Sequence, residues 1–293
     1  MMSQMVEMLG LPLLLCLMMG GVLAYSGMHI LKREIIFIDI TLAQVAAVGA
    51  IVAHLAFDAH EDSVSSYGLS LGCVLVLAAA CAVLRKDVVR IPIEAVIGVS
   101  YAIAAAAAIF LIGLAPTEVH AEEMLTGSLL WVEWSDIPFT LAVLTAVGLC
   151  FCILHRPLRR SSENHRDNPA GDWGTVSWDF LFYALVGVVI TTTVRIAGVL
   201  VVFGFLIMPA TISAMCSSHW GIRLLIAWAV ATAASLTGLI GAYYLDFSVG
   251  PVIAMCMGVF LVGVAIVARL RSVPASRADA VEAASLPYGS EEG

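Results

Sequence analysis

The sequence predicts an all-α membrane protein, a polytopic helix bundle of eight or nine spans, and three observations carry that reading. Of its 293 residues 61% are apolar and only 12% are charged, about half the ~25% charge of soluble domains. So few charged side chains cannot screen so much apolar surface from water. Apolar runs recur along the chain, each near the ~20 residues that cross a ~30 Å hydrocarbon core. The third observation is charge: all 14 basic residues except Arg195 fall on one side of the topology that these runs define. Cytoplasmic connections carry such an excess. The net charge of −8, with no long basic run, excludes a nucleic-acid partner.

The first run, 11–31, ends in Lys32-Arg33, and the ten residues before it hold one charge, Glu7. It reads as a retained span that starts outside, not as a cleaved leader. The next runs are 35–57, 68–84, 92–115, 137–154, 178–194, 197–216, 222–245 and 251–269. With residue 1 outside, the outer connections carry Asp58, Glu61, Asp62, Glu118, Glu122, Glu123, Glu133, Asp136 and Asp246. The outer face is acidic. Between 178 and 216 the apolar pattern is interrupted by Thr191-Thr192-Thr193-Val194-Arg195-Ile196-Ala197-Gly198. The helix before that break reaches only ~25 Å. A tight turn near the outer face or a broken helix fits, so the span count is eight or nine. The inner segment 155–177 is polar. After Arg271 the composition turns small, polar and acidic. The chain thus divides into a transmembrane domain, 1–271, and a cytoplasmic tail, 272–293, expected to be disordered.

Most catalytic chemistry is missing. The two lysines, Lys32 and Lys86, are followed by Arg33 and Asp87, so no phosphate-cradling loop exists. Cys150-Phe151-Cys152 lacks the two-residue spacing of a redox or zinc pair. Gly127-Ser128 reads as close helix packing, with no intramembrane histidine in a constellation that could activate the serine. The chain is read as a passage and not an enzyme, with no cofactor of its own and its energy supplied by another protein.

The candidate cation ligands start with Asp39. A carboxylate in a span either faces a cavity or a partner, or pairs with Lys32 or Arg33 at the interface. Gln44 lies about 140° from Asp39 on a regular helix, so one helix cannot aim both at one ion. His54 is about 60° from Asp39 and ~22 Å further along, a separate outer station or a packing histidine. Outside, Asp58-Ala59-His60-Glu61-Asp62 and His120-Ala121-Glu122-Glu123 mix imidazole and carboxylate donors suited to transient capture of a borderline cation. The metal-ligating candidates are therefore Asp39, Gln44, His54, His60, Glu61, His120 and Glu122.

Two stretches are more than generic membrane sequence. One runs from Gly27-Met28-His29 through Lys32-Arg33-Glu34 and Asp39 to Gly49. The other runs from Trp178-Asp179-Phe180 through Gly198-Val199-Leu200 to Ile207-Met208-Pro209-Ala210. Together with Ile91–Gly98 and Leu125–Val132 they resemble the permease subunits of bacterial ABC importers for divalent metals, the zinc and manganese family of ABC-3 type. The likeness covers about residues 11–270. It implies the type II ABC importer permease fold and an ATP-driven importer for zinc, manganese or iron in the bacterial plasma (inner) membrane. Implied partners are a cytoplasmic ABC ATPase dimer, an extracytoplasmic metal-binding protein and a second permease copy. One departure stands out: the family motif places a His one helical turn after the Asp, whereas Ala43 and then Gln44 follow Asp39 here. An amide is a much poorer zinc ligand than imidazole.

By likeness to the related cobalamin-type importers, residues 210–223 take the role of the ATPase coupling segment. Its expected form is a short helix that follows a break at Pro209. The candidate contacts are Ala210, Ser213, Ala214, Ser217, His219 and Gly221. Two alternatives remain open: an ABC permease for a chelated metal or cobalamin-like compound, and an ATP-independent secondary transporter. A secondary transporter needs buried ionisable groups for ion coupling, and the spans show chiefly Asp39 and His54.

Overall fold

A computed structural model describes residues 2–57, 63–84, 92–114, 129, 132, 134–163 and 173–285, with side chains described from residue 9 to residue 270. Among the described residues there are ten helices and no strand: α1 Met2–Arg33, α2 Ile38–Phe57, α3 Val64–Leu84, α4 Ile93–Leu114, α5 Asp136–Ile153, α6 His155–Glu163, α7 Trp173–Ala197, α8 Val199–Cys216, α9 Trp220–Leu245 and α10 Val249–Ser285. All but α6 are long and apolar enough to cross a membrane, α1 through Leu9–Arg33 and α10 through Val249–Leu270. Among the described residues the count of such helices is nine.

The ambiguous stretch resolves at a single residue. Helix α7 begins at Trp173 and continues through the threonines to Ala197, 25 residues in all. Thr192 and Thr193 each donate to the carbonyl four residues back, Val188 and Val189, at 2.8 Å. Their hydroxyls are satisfied within the helix, so polar side chains do not end it. The break falls at Gly198, with φ 79° and ψ 160°, a region open essentially to glycine alone. The turn is tight: Val202 N–H donates to the Gly198 carbonyl at 3.2 Å.

One sequence expectation is corrected. Pro209 does not break the chain, because α8 runs through it to Cys216. A proline removes one backbone donor, and the tightly packed helix tolerates the loss. Helix α10 runs past residue 272 to Ser285. That segment, Ala275-Ser276-Arg277-Ala278-Asp279-Ala280, repeats alanine, the strongest helix former.

The spans pack in two groups. Helices α1, α8, α9 and α10 form one; α2, α3, α4 and α7 form the other. Helix α7 touches α2, α8 and α1, so it lies between them. Large side chains close the core, among them Tyr183, Phe182, Phe205, Met19 and Leu23, all fully buried. Close approach rests on missing side chains. A Cβ at Gly27 would run into the Leu206 backbone carbonyl, and one at Gly49 would lie 2.6 Å from Ser70 Cα. These two glycines set α1 against α8 and α2 against α3.

Candidate functional site

Asp39 owes its position to how α1 ends. Glu34 adopts a left-handed conformation, φ 57°. Its N–H donates to Leu31 and that of Ile35 to Ile30, both at 3.4 Å. This paired arrangement closes a helix in a Schellman motif. The chain reverses in a few residues, leaving Arg33 at the last position of α1 and Asp39 in the first turn of α2. Thr41 then ties α2 to α4, its hydroxyl donating to the Phe37 carbonyl at 3.0 Å and the Ile97 carbonyl at 3.3 Å.

Asp39 is 2% exposed. Neither of its carboxylate oxygens has a hydrogen-bond partner among the described residues. The positive end of the α2 dipole favours a carboxylate in this first turn. The interface pairing expected as one option is absent: Lys32 is exposed, and Arg33 is engaged elsewhere. The other candidates do not gather around Asp39. Ala43, one turn on, is buried without a donor. Gln44 is half-buried, as is His54 at the far end of α2. His60, Glu61, His120 and Glu122 lie outside the described residues. Among those described, no group of three or more His, Cys, Asp or Glu forms a metal site. Among the described residues, then, Asp39 is a buried carboxylate with no other candidate ligand gathered around it.

Sequence reasoning overlooked a second buried polar cluster, at the same end of the bundle. Arg33 Nη1 donates to Asp179 Oδ1 at 2.5 Å, with both side chains almost fully buried. Its Nε donates to Ser162 Oγ at 3.0 Å and its Nη2 to Ser161 Oγ at 3.3 Å. The guanidinium lies 4.2 Å from the Phe182 ring centre, a cation–π contact. His29, one turn before Arg33 and fully buried, places Nδ1 3.0 Å from Ser162 Oγ. The cluster thus clamps the short helix α6 between α1 and α7. One signal was available: His29 and Arg33 are four residues apart and share a helix face. Their partners were not foreseeable from spacing, since Asp179 is 146 positions from Arg33.

The expected coupling segment narrows. Instead of a short helix, the end of α8 and a three-residue connection, 217–219, lead into α9. The Ser217 hydroxyl accepts from His219 N–H at 3.1 Å, and His219 O accepts from Arg223 N–H at 2.9 Å. Ala214, His219 and Gly221 are exposed and Ser217 is half-buried. Ala210 and Ser213 are fully buried and face the interior instead of a partner.

Comparison with known proteins agrees with this architecture. The ABC 3 transport family matches residues 5–268, a stretch that includes all nine spans almost completely. The manganese import system permease protein ScaB of Streptococcus parasanguinis is 26% identical over 167 residues, 57% of this chain and 60% of its own length. The chain therefore matches somewhat under two thirds of that relative. A Chlamydia pneumoniae protein named "Probable metal transport system membrane protein" is 25% identical over 248 residues, 82% of this chain and 80% of its own. The structure of PsaBC from Streptococcus pneumoniae in complex with Fab superposes with a TM-score of 0.73 at 19% identity, covering 90% of this chain and 95% of that one. At that identity the likeness speaks to the fold.

Proposed function

Because the chain belongs to the ABC 3 transport family, we propose that it is the membrane-spanning permease subunit of an ATP-driven importer for a divalent metal ion. The observation that carries this reading is the family match from residue 5 to residue 268. Manganese is the ion that the ScaB name gives; zinc and iron are the other members of the proposed class. ATP hydrolysis belongs to a separate cytoplasmic ATPase dimer, since no phosphate-binding loop occurs in this sequence. An extracytoplasmic metal-binding protein and a second permease copy complete the proposed complex in the bacterial plasma membrane.

The orientation follows from charge. The Arg33 end of the bundle faces the cytoplasm and residue 1 the outside, as the distribution of basic residues supports. Single cysteines at Ser65 and Arg160, both exposed, test it in a cysteine-free background. Ser65→Cys should react from outside and Arg160→Cys from inside. Ser162 in the same helix is unsuitable because it is buried against His29 and Arg33.

Asp39 is the proposed cation ligand on the path. A buried carboxylate without a protein partner attracts a cation without caging it, and passage needs weak sites in series. The coupling contact is assigned to Ala214, His219 and Gly221, with Ser217 at its edge. The reconstituted complex of permease, ATPase and binding protein should hydrolyse ATP in response to Mn²⁺, Zn²⁺ or Fe²⁺. Ala214→Glu should abolish that response while leaving the chain inserted. Transport by the permease alone under an ion gradient would replace this reading with a secondary carrier.

A further inference from the structure

Beyond the proposed coupling contact lies one residue that no part of the functional argument uses. Trp220 opens α9 directly after the 217–219 connection. Its half-buried indole does not point to a lipid-facing surface but into the clamp at the inner end of the bundle. The His29 ring lies 4.9 Å away, centre to centre, at 62°, the edge-to-face arrangement that aromatic rings favour. The Arg159 guanidinium of α6 is 5.5 Å from the indole centre, and that of Arg223 is 5.8 Å. A single side chain adjoining the proposed ATPase contact therefore touches α1, α6 and its own helix.

From His29 the contacts continue. Its Nδ1 meets Ser162 Oγ, which also accepts from Arg33 Nε, each at 3.0 Å. Arg33 in turn holds Asp179 of α7. The chain of contacts thus reaches from the connection at 217–219 to α7, the helix between the two packing groups.

The contact between Trp220 and His29 is incomplete in a specific way. Trp220 Nε1 and His29 Nε2 are both buried, and neither has a hydrogen-bond partner among the described residues. The indole N–H is a donor only, and Nε2 accepts when the imidazole proton sits on Nδ1. In that tautomer Nδ1–H donates to Ser162 Oγ, whose two lone pairs serve His29 and Arg33 together. A donor and an acceptor thus stand on neighbouring rings 4.9 Å apart and unbonded. A bonded arrangement would be the second state that coupling between two sites requires.

We propose that Trp220 is the positioning residue that transmits movement of the 217–219 connection to the Arg33–Asp179 pair, by making and breaking a hydrogen bond to His29. The proposal rests on the reading of 210–223 as the ATPase contact. It assigns Trp220 no contact with metal or nucleotide; the residue acts through His29.

The test uses the full complex in proteoliposomes and reads ATP hydrolysed per metal ion taken up, with Mn²⁺, Zn²⁺ and Fe²⁺ in turn. Trp220→Phe keeps the aromatic packing and removes the N–H. His29→Asn keeps a polar atom near the Nδ1 position and removes Nε2. Each should raise the ATP-to-metal ratio by about five-fold or more, the lower end of ordinary allosteric coupling. The double variant should be no worse than the worse single variant, because both remove the same bond. Thermal unfolding of Trp220→Phe should stay near wild type, which separates transmission from lost packing. A wild-type ratio in Trp220→Phe, or effects that multiply in the double variant, would overturn the proposal. So would a ratio that changes only in step with lost thermal stability. If the wild-type complex responds to none of the three metals, the importer reading itself fails and this inference falls with it.

Discussion

Asp179 of α7 and Asp39 of α2 are both nearly inaccessible carboxylates at the same end of the bundle, yet their surroundings differ in kind. Asp179 meets the guanidinium of Arg33, which also engages two serine hydroxyls and the face of Phe182. Asp39 meets no cationic or side-chain donor among the described residues and has only the backbone amides at the start of α2 at its back. A buried charge that is fully paired holds helices together, and removing one partner strands the other. A buried carboxylate left unmatched costs a few kcal/mol within a membrane. Such a group persists where a passing cation uses it. The first carboxylate belongs to the scaffold and the second to the proposed path.

This contrast is most directly broken at Asp179. Asp179→Ala should lower stability by about 3–5 kcal/mol, since Arg33 stays buried without its counter-charge. Thermal unfolding of the purified chain in detergent measures it, and replacement of both Arg33 and Asp179 by apolar residues should recover part of the loss. An unchanged melting temperature would show that the pair is not structural.

Asp39→Asn should act in the opposite sense. Metal uptake into vesicles at equal protein levels should fall about ten-fold or more, at least the loss caused by disturbing a metal's outer shell. Thermal stability should hold or rise, because an amide is cheaper to bury than an unmatched charge. Full uptake by this variant would remove Asp39 from the path; loss of stability would make it structural like Asp179.

Smaller effects sharpen the boundary between the two regions. Thr41→Val removes the hydroxyl that reaches the Ile97 carbonyl and should cost about 1 kcal/mol. Hydrogen exchange should then quicken at the start of α2 while α6 is unaffected. Glu163→Gln cuts the half-exposed Arg159–Glu163 pair, 2.8 Å apart. Its cost should be about 0.5 kcal/mol or less and should shrink further in high salt. A larger loss would mean that the clamp on α6 depends on this surface pair as well as on Ser161 and Ser162.

The spans were legible in the sequence because each is decided locally. A run such as 251–269 must cross the bilayer wherever its neighbours sit, since only an internally bonded helix satisfies the backbone in lipid. The one ambiguous stretch misled for an equally local reason. The stretch 191–198 read as an interruption, but the hydroxyls of Thr192 and Thr193 fold back on the preceding turn and the helix continues to Ala197, just before Gly198. Pro209 misled in the same direction. A rule about isolated helices predicts a break there, whereas packing against α1, α9 and α10 keeps α8 intact.

Asp39 was visible because a charge inside an apolar run is conspicuous, and its place in the first turn of α2 follows from sequence position. Whether it is paired was not decided there. Lys32 and Arg33 were the nearest cations along the chain, yet Arg33 turned to a residue 146 positions away. His29 and Ser162 meet across 133 positions.

By itself, then, the sequence determined the number of apolar crossings to within one, the charge asymmetry between the two faces and the presence of a carboxylate in α2. These follow from composition and short-range periodicity, which the bilayer reads segment by segment. Tertiary structure alone decided which carboxylate is neutralised and which is left open, and which of residues 210–223 are exposed. It also decided that Trp220 of α9 stands against His29 of α1. Hydrogen bonds and ion pairs select their partners by distance in space, and the packing of α1, α6 and α7 sets those distances.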